Sequence, residues 1–214
     1  MANQATHPAP ATSPATILER SWRVWAERVR AISPEQLRAP TRLGGWTVHD
    51  LLAHITPDAD QLAALMGAVQ EGPAAVADGS GVLRAFNQPG GVAETMAPSI
   101  EQTAIETAPG LTPADAAHRF ERSADLVASA PLDPQAVIPY PGVGSTTVGA
   151  VTDIAIVETT VHALDLIAAI GGTPPPAEAV AHTRDVLARV ADPVALIEVL
   201  TGRADPATLL PVVR

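Results

Sequence analysis

The chain has 214 residues, enough for one domain with a sizeable core, and 47% of them are apolar but only 3% aromatic. It carries 13 basic against 23 acidic residues, a net charge of −10, which excludes nonspecific phosphate-backbone binding and disfavours docking on an anionic membrane. It has no cysteine, so disulfides, cysteine-based zinc sites and a cysteine nucleophile are excluded together, and any thiol must come from a small molecule.

Residues 1–13 are small, polar and Pro-rich and read as a disordered segment, with His7 an inert passenger. Ser13 and Pro14 form an N-cap and first helical position. Leu18, Trp22, Trp25, Val29 and Ile32 then recur at spacings of four and three, one apolar helical stripe, and both tryptophans are assigned to core packing. Ser33-Pro34-Glu35-Gln36 is a capping-box signal for one short turn.

After Gly44-Gly45-Trp46, Thr47 caps a second long helix whose buried side comprises Val48, Leu51, Leu52, Ile55, Leu62, Met66 and Val69. His54 lies at the edge of that side, His49 lies well around the helix from it, and Pro57 predicts a kink or an irregular turn beside His54. From Glu71 to Gly110 glycines and prolines divide the pattern into short pieces, with helices expected over Val82–Asn87 and Ile100–Thr107. So long a connection is a candidate substrate lid, and Arg84 within it is read as a solvated arginine or a contact for a substrate carboxylate.

Thr112 opens a third helix running through Ala130, with Ala116, Phe120, Ala124 and Val127 inward and His118 on the surface; Pro131 and Pro134 end it. Residues 136–140 and 145–148 flank Pro141-Gly142-Val143-Gly144 as a small hairpin or extended loop. The fourth helix fills Val148–Ile170 and stops at Gly171-Gly172, and two shorter helices follow at about 177–190 and 193–201, the second capped by Asp192. Four substantial helices joined by irregular loops predict an all-α bundle, with residues 14–172 as its body and 173–214 as a helical C-terminal extension. No basic leader followed by an apolar stretch opens the chain and no run is long and apolar enough for a span, so a cytoplasmic protein, monomeric or homodimeric, is expected.

The fourth helix contains the decisive pattern. Glu158, His162 and Asp165 fall on one stripe together with Val151, Ile154, Val161 and Ala169, so three polar side chains point where the core should be. An unpaired buried carboxylate is costly, and a metal or a partner must neutralise it. Inward side chains on facing helices build metal sites in bundles, and His54, Glu158 and His162 make a three-ligand set suited to zinc, nickel or iron with one position open. Asp165 and Asp50 are placed behind this set, orienting His162 and His54 by hydrogen bonds. The plainer alternative is a buried His–Glu hydrogen bond with His54 as a polar rim residue.

Gly45-Trp46-Thr47-Val48-His49-Asp50-Leu51-Leu52-Ala53-His54, followed downstream by Glu158-x-x-Val161-His162-Ala163-x-Asp165-Leu166, resembles the mycothiol-dependent maleylpyruvate isomerase N-terminal family of the wider DinB and YfiT-like superfamily. The resemblance covers residues 14–172 and implies a DinB-like four-helix bundle. It also implies a divalent metal, usually zinc, on the residues matching His54, Glu158 and His162. It implies chemistry in which a low-molecular-weight thiol such as mycothiol adds to a small electrophile, in a transferase or isomerase. The residues after Gly172 are too few for the sterol-carrier-like second domain of the isomerase proper, so a different substrate is expected. Two other readings stay open: a metal hydrolase that uses no thiol, and a non-catalytic metal-binding stress or accessory scaffold.

Overall fold

The structure, a computed structural model, describes residues 12–130 and 133–213. The expectations for residues 1–11, His7 included, and for Pro131 lie outside the described residues. The fold is mostly helical with one two-stranded hairpin.

Helix α1 (Pro14–Arg30) starts where Ser13 Oγ accepts the Thr16 amide at 3.2 Å, and the predicted stripe from Leu18 to Ile32 is buried throughout. Trp25 stacks on Phe120 of α8 (Pro113–Ser129), ring centroids 5.4 Å apart, and its Nε1–H donates to Thr159 O at 3.1 Å. Its indole therefore satisfies its one donor while joining α1 to two neighbours. The short α2 (Pro34–Leu37) carries the reciprocal Ser33–Gln36 capping box.

Helix α3 (Val48–Ile55) is capped by Thr47 as expected, but it is shorter than its apolar pattern suggested. Thr56 is extended, since the proline ring that follows disfavours a helical residue before it and Pro57 has no amide to continue the ladder. Asp58 caps a new helix, α4 (Ala59–Gly67). Of the two alternatives, a kink or an irregular turn, the chain takes the second: three non-helical residues separate α3 from α4. Leu62 and Met66 are only half-buried, and Val69, assigned to the buried side, is 60% exposed.

The stretch from Glu71 to Gly110 holds α5 (Gly79–Asn87), α6 (Val92–Thr95), α7 (Ala97–Thr107) and a 3-10 turn at Ala108–Gly110. It is a packed layer: α7 lies on α3, and α5 lies on two later helices, α9 (Val148–Ile170) and α10 (Ala177–Val190). Arg84 donates through Nη2 to Arg189 O at 2.9 Å, a contact between α5 and α10.

Strands β1 (Val137–Tyr140) and β2 (Gly144–Thr147) pair antiparallel, Val137 opposite Thr147 and Tyr140 opposite Gly144. The hairpin runs directly into α9 (Val148–Ile170), because Thr147 Oγ1 accepts the Ala150 amide at 3.0 Å and starts the helix. Gly171, with φ 74°, ends it in a conformation that side chains disfavour. Helices α10 (Ala177–Val190) and α11 (Pro193–Leu200) follow, the latter capped by Asp192.

Two apolar clusters share α9. One joins α1, α3 and α8 to it through residues such as Trp22, Leu51, Phe120 and Leu166; the other joins α5 and α10 to it through Val82, Ile154 and Val186. A helix packed on several sides must be apolar nearly all round, which is the composition of α9. Helix α10 reaches both clusters, with Ala179 in the first and Val186 in the second.

Candidate metal centre

Three side chains converge where the end of α3 faces the middle of α9. His54, Glu158 and His162 each offer a ligand atom, and these atoms lie within 4.8 Å of one another. His162 Nε2 is 3.3 Å from Glu158 Oε2, and His54 Nε2 is 4.0 Å from the same oxygen. The two imidazoles meet edge to face, centroids 5.0 Å apart. The spacing on α9 places Glu158 one turn from His162, and the break at Thr56 leaves His54 in the last turn of α3.

Asp165 is 2% exposed and stands behind His162. Its Oδ2 is 2.9 Å from His162 Nδ1, while its Oδ1 accepts from Arg42 Nε at 2.6 Å. With Nδ1–H donated to Asp165, release of the other ring proton leaves the Nε2 lone pair directed at Glu158 and His54. Asp50 is placed elsewhere. Its Oδ2 accepts from the Thr47 amide at 2.8 Å and from the Thr47 hydroxyl at 2.7 Å, so it serves the α3 capping box, and the expected support of His54 is a correction here. Trp46 instead packs against His54, centroids 5.1 Å apart. His49 turns away, its Nε2 2.8 Å from Leu111 O.

The charges of the cluster act strongly on one another. Burial, followed by the charge of His162, lowers the His54 pKa below 6.5, with Glu158 only partly opposing. Burial works against the charged form of His162 too, but its contacts with Asp165 and Glu158 prevail and raise its pKa from 6.5 to about 9. Burial would raise the Glu158 carboxyl, yet the two histidines hold it below its usual range. Asp165 is likewise held low: His162 and Arg42 outweigh its desolvation. A proton on His162 thus does part of the neutralising that a metal would do.

The donor chemistry fits a divalent ion. Ligand atoms about 2.1 Å from a tetrahedral zinc lie about 3.4 Å from each other. The observed 3.3 and 4.0 Å separations need only small side-chain adjustments to reach that. Two imidazoles and one carboxylate leave a coordination position open.

The family model for the mycothiol maleylpyruvate isomerase N-terminal domain matches residues 18–167. The chain belongs to that family. The matched span runs from α1 almost to the end of α9 and includes all three members of the cluster. No curated protein and no solved structure matches the chain.

A cavity of about 310 Å³ lies beside His54, lined by Ala53 and His54 of α3 and by Ser99, Ile100, Thr103 and Thr107 of α7, among others. The segment read as a lid therefore contributes one wall of a pocket beside His54. Sequence reasoning did not find Arg42 or Trp46. Arg42 sits in an irregular loop far from Asp165 in the chain, and no periodicity pairs them.

Proposed function

We propose that this protein is a metal-dependent enzyme that uses a low-molecular-weight thiol, such as mycothiol, to modify a small electrophile by transfer or isomerisation. The observation that carries this reading is the convergence of His54, Glu158 and His162 from two helices, within a chain of the mycothiol maleylpyruvate isomerase family. On this reading α1, α3, α8 and α9 correspond to a DinB-like four-helix bundle, and zinc is the metal of first choice.

His54 Nε2, Glu158 and His162 Nε2 would hold the ion. A bound divalent metal supplies Lewis acidity that lowers the pKa of a thiol or water at its open position. The chain supplies the rest. Asp165 fixes the His162 tautomer, Arg42 fixes Asp165, and Trp46 packs at an angle against the His54 ring. With no cysteine in the chain, the nucleophilic sulfur is external.

Elemental analysis of the purified protein and of His162→Ala tests the centre. About one divalent metal per chain in the former and its loss in the latter are expected; equal metal content in both overturns the ligand assignment. Turnover of model electrophiles with and without added thiol then tests the chemistry. Rates that do not depend on thiol would replace the transferase reading with that of a metal hydrolase.

A further inference from the structure

A second cavity, of about 440 Å³, lies against α9 and is lined by residues that include Trp22 of α1, Leu62 and Met66 of α4, Ile138 and Tyr140 of β1, and Val151 of α9. That volume lies in the range of small-molecule sites, about 300–1,000 Å³, which are mostly apolar with a few placed polar groups. Among the described residues no cation lines it. The one charged residue in the lining is Asp58, whose Oδ1 is occupied in capping α4 by the amides of Asp60 and Gln61.

The cavity is continuous in sequence register with the metal centre. Val151, Ala155, Glu158 and His162 follow spacings of four, three and four, one face of α9. The first two line the cavity and the last two belong to the cluster. Tyr140 lines this chamber, and its ring stacks on Phe86, centroids 6.0 Å apart. Among the described residues its hydroxyl makes no hydrogen bond, so a half-buried phenol donor is left free at the end of an apolar chamber.

We propose that this chamber, which shares one face of α9 with Glu158 and His162, binds the apolar body of a neutral carbonyl electrophile, whose carbonyl oxygen accepts a hydrogen bond from the Tyr140 hydroxyl. The inference deepens the function proposed above and rests on that centre being where the substrate reacts. Charge supports a neutral occupant: the lining offers no arginine to a carboxylate, and the chain as a whole carries −10. Maleylpyruvate, the compound in the family's description, is a dicarboxylate and has no counter-charge in this chamber. Composition agrees. All 13 basic residues are arginine and there is no cysteine, so neither an ε-amine nor a thiol of the protein would consume such an electrophile.

Calorimetric titration of the full chain as purified, without thiol, tests this with three probes: cinnamaldehyde, its carbonyl-free analogue β-methylstyrene, and maleate. Cinnamaldehyde is expected to bind, with maleate at least tenfold weaker. Tyr140→Phe should weaken cinnamaldehyde about tenfold, the worth of one hydrogen bond in a dry site, and leave β-methylstyrene unchanged. Maleate binding as tightly as cinnamaldehyde overturns the proposal, and so does Tyr140→Phe weakening both neutral probes equally or neither. Because the titration contains no thiol, the chamber can fail while thiol-dependent turnover stands, and the reverse.

Discussion

Arg42 and Asp165 form an ion pair at 2.6 Å that ties the loop before α3 to a buried carboxylate on α9. The other oxygen of Asp165 holds His162 Nδ1 at 2.9 Å, so a loop residue ends up setting the orientation of an imidazole in the candidate metal centre. Partners behind metal ligands typically change affinity 10–100-fold. Asp165→Asn is therefore expected to weaken zinc binding by about that factor, and Arg42→Gln by less, because Arg42 is half exposed and acts only through Asp165. Competition titrations with a chelating indicator measure both; unchanged affinity in Asp165→Asn shows that His162 is held by other means.

The two histidines predict a stability optimum for the metal-free protein. The His162 pKa is raised to about 9, so its contribution is complete below 6.5 and is lost as pH rises through 9. His54 is shifted downward, so its contribution is present above 6.5 and is lost as pH falls below that value. Denaturant unfolding of the chelated protein should give maximal stability near neutral pH, with a loss of at most about 3 kcal/mol between pH 6.5 and 9.5. His162→Asn should flatten the alkaline limb.

Thr47 and Asp50 together start the helix that carries His54. Thr47→Ala is expected to cost about 1 kcal/mol in stability, read from the chemical-denaturation midpoint, and to weaken metal binding through a frayed α3. A stability loss with metal affinity intact would show that the last turn of α3 holds His54 without help from the first.

Gly79 opens α5 against α9, where an added Cβ would meet Asp153 Cβ at 2.5 Å. Asp153 is engaged with His182 Nε2 of α10 at 2.8 Å, so the neighbour has little room to yield. Gly79→Ala should destabilise by about 1–3 kcal/mol, as overpacking does, and lower the thermal midpoint. A neutral result would mean that α5 moves freely on α9.

Much of this protein was decided locally and was therefore legible in the sequence. Ser13, Thr47, Thr112 and Asp192 each accept from the backbone amide three residues on, so the starts of α1, α3, α8 and α11 are properties of short segments. The stripe from Leu18 to Ile32 and the Glu158–His162 pair follow from the helical repeat alone. His54 entered the candidate site through its place beside a broken helix and through a family pattern, since no local rule pairs residues on different helices. What only the tertiary structure decided is who meets whom. It gave Arg42 to Asp165, put Trp46 on His54 and brought His54 to Glu158 and His162. Periodicity records which face of a helix is apolar; which neighbour covers that face depends on packing between segments distant in the chain, and that information is nowhere local.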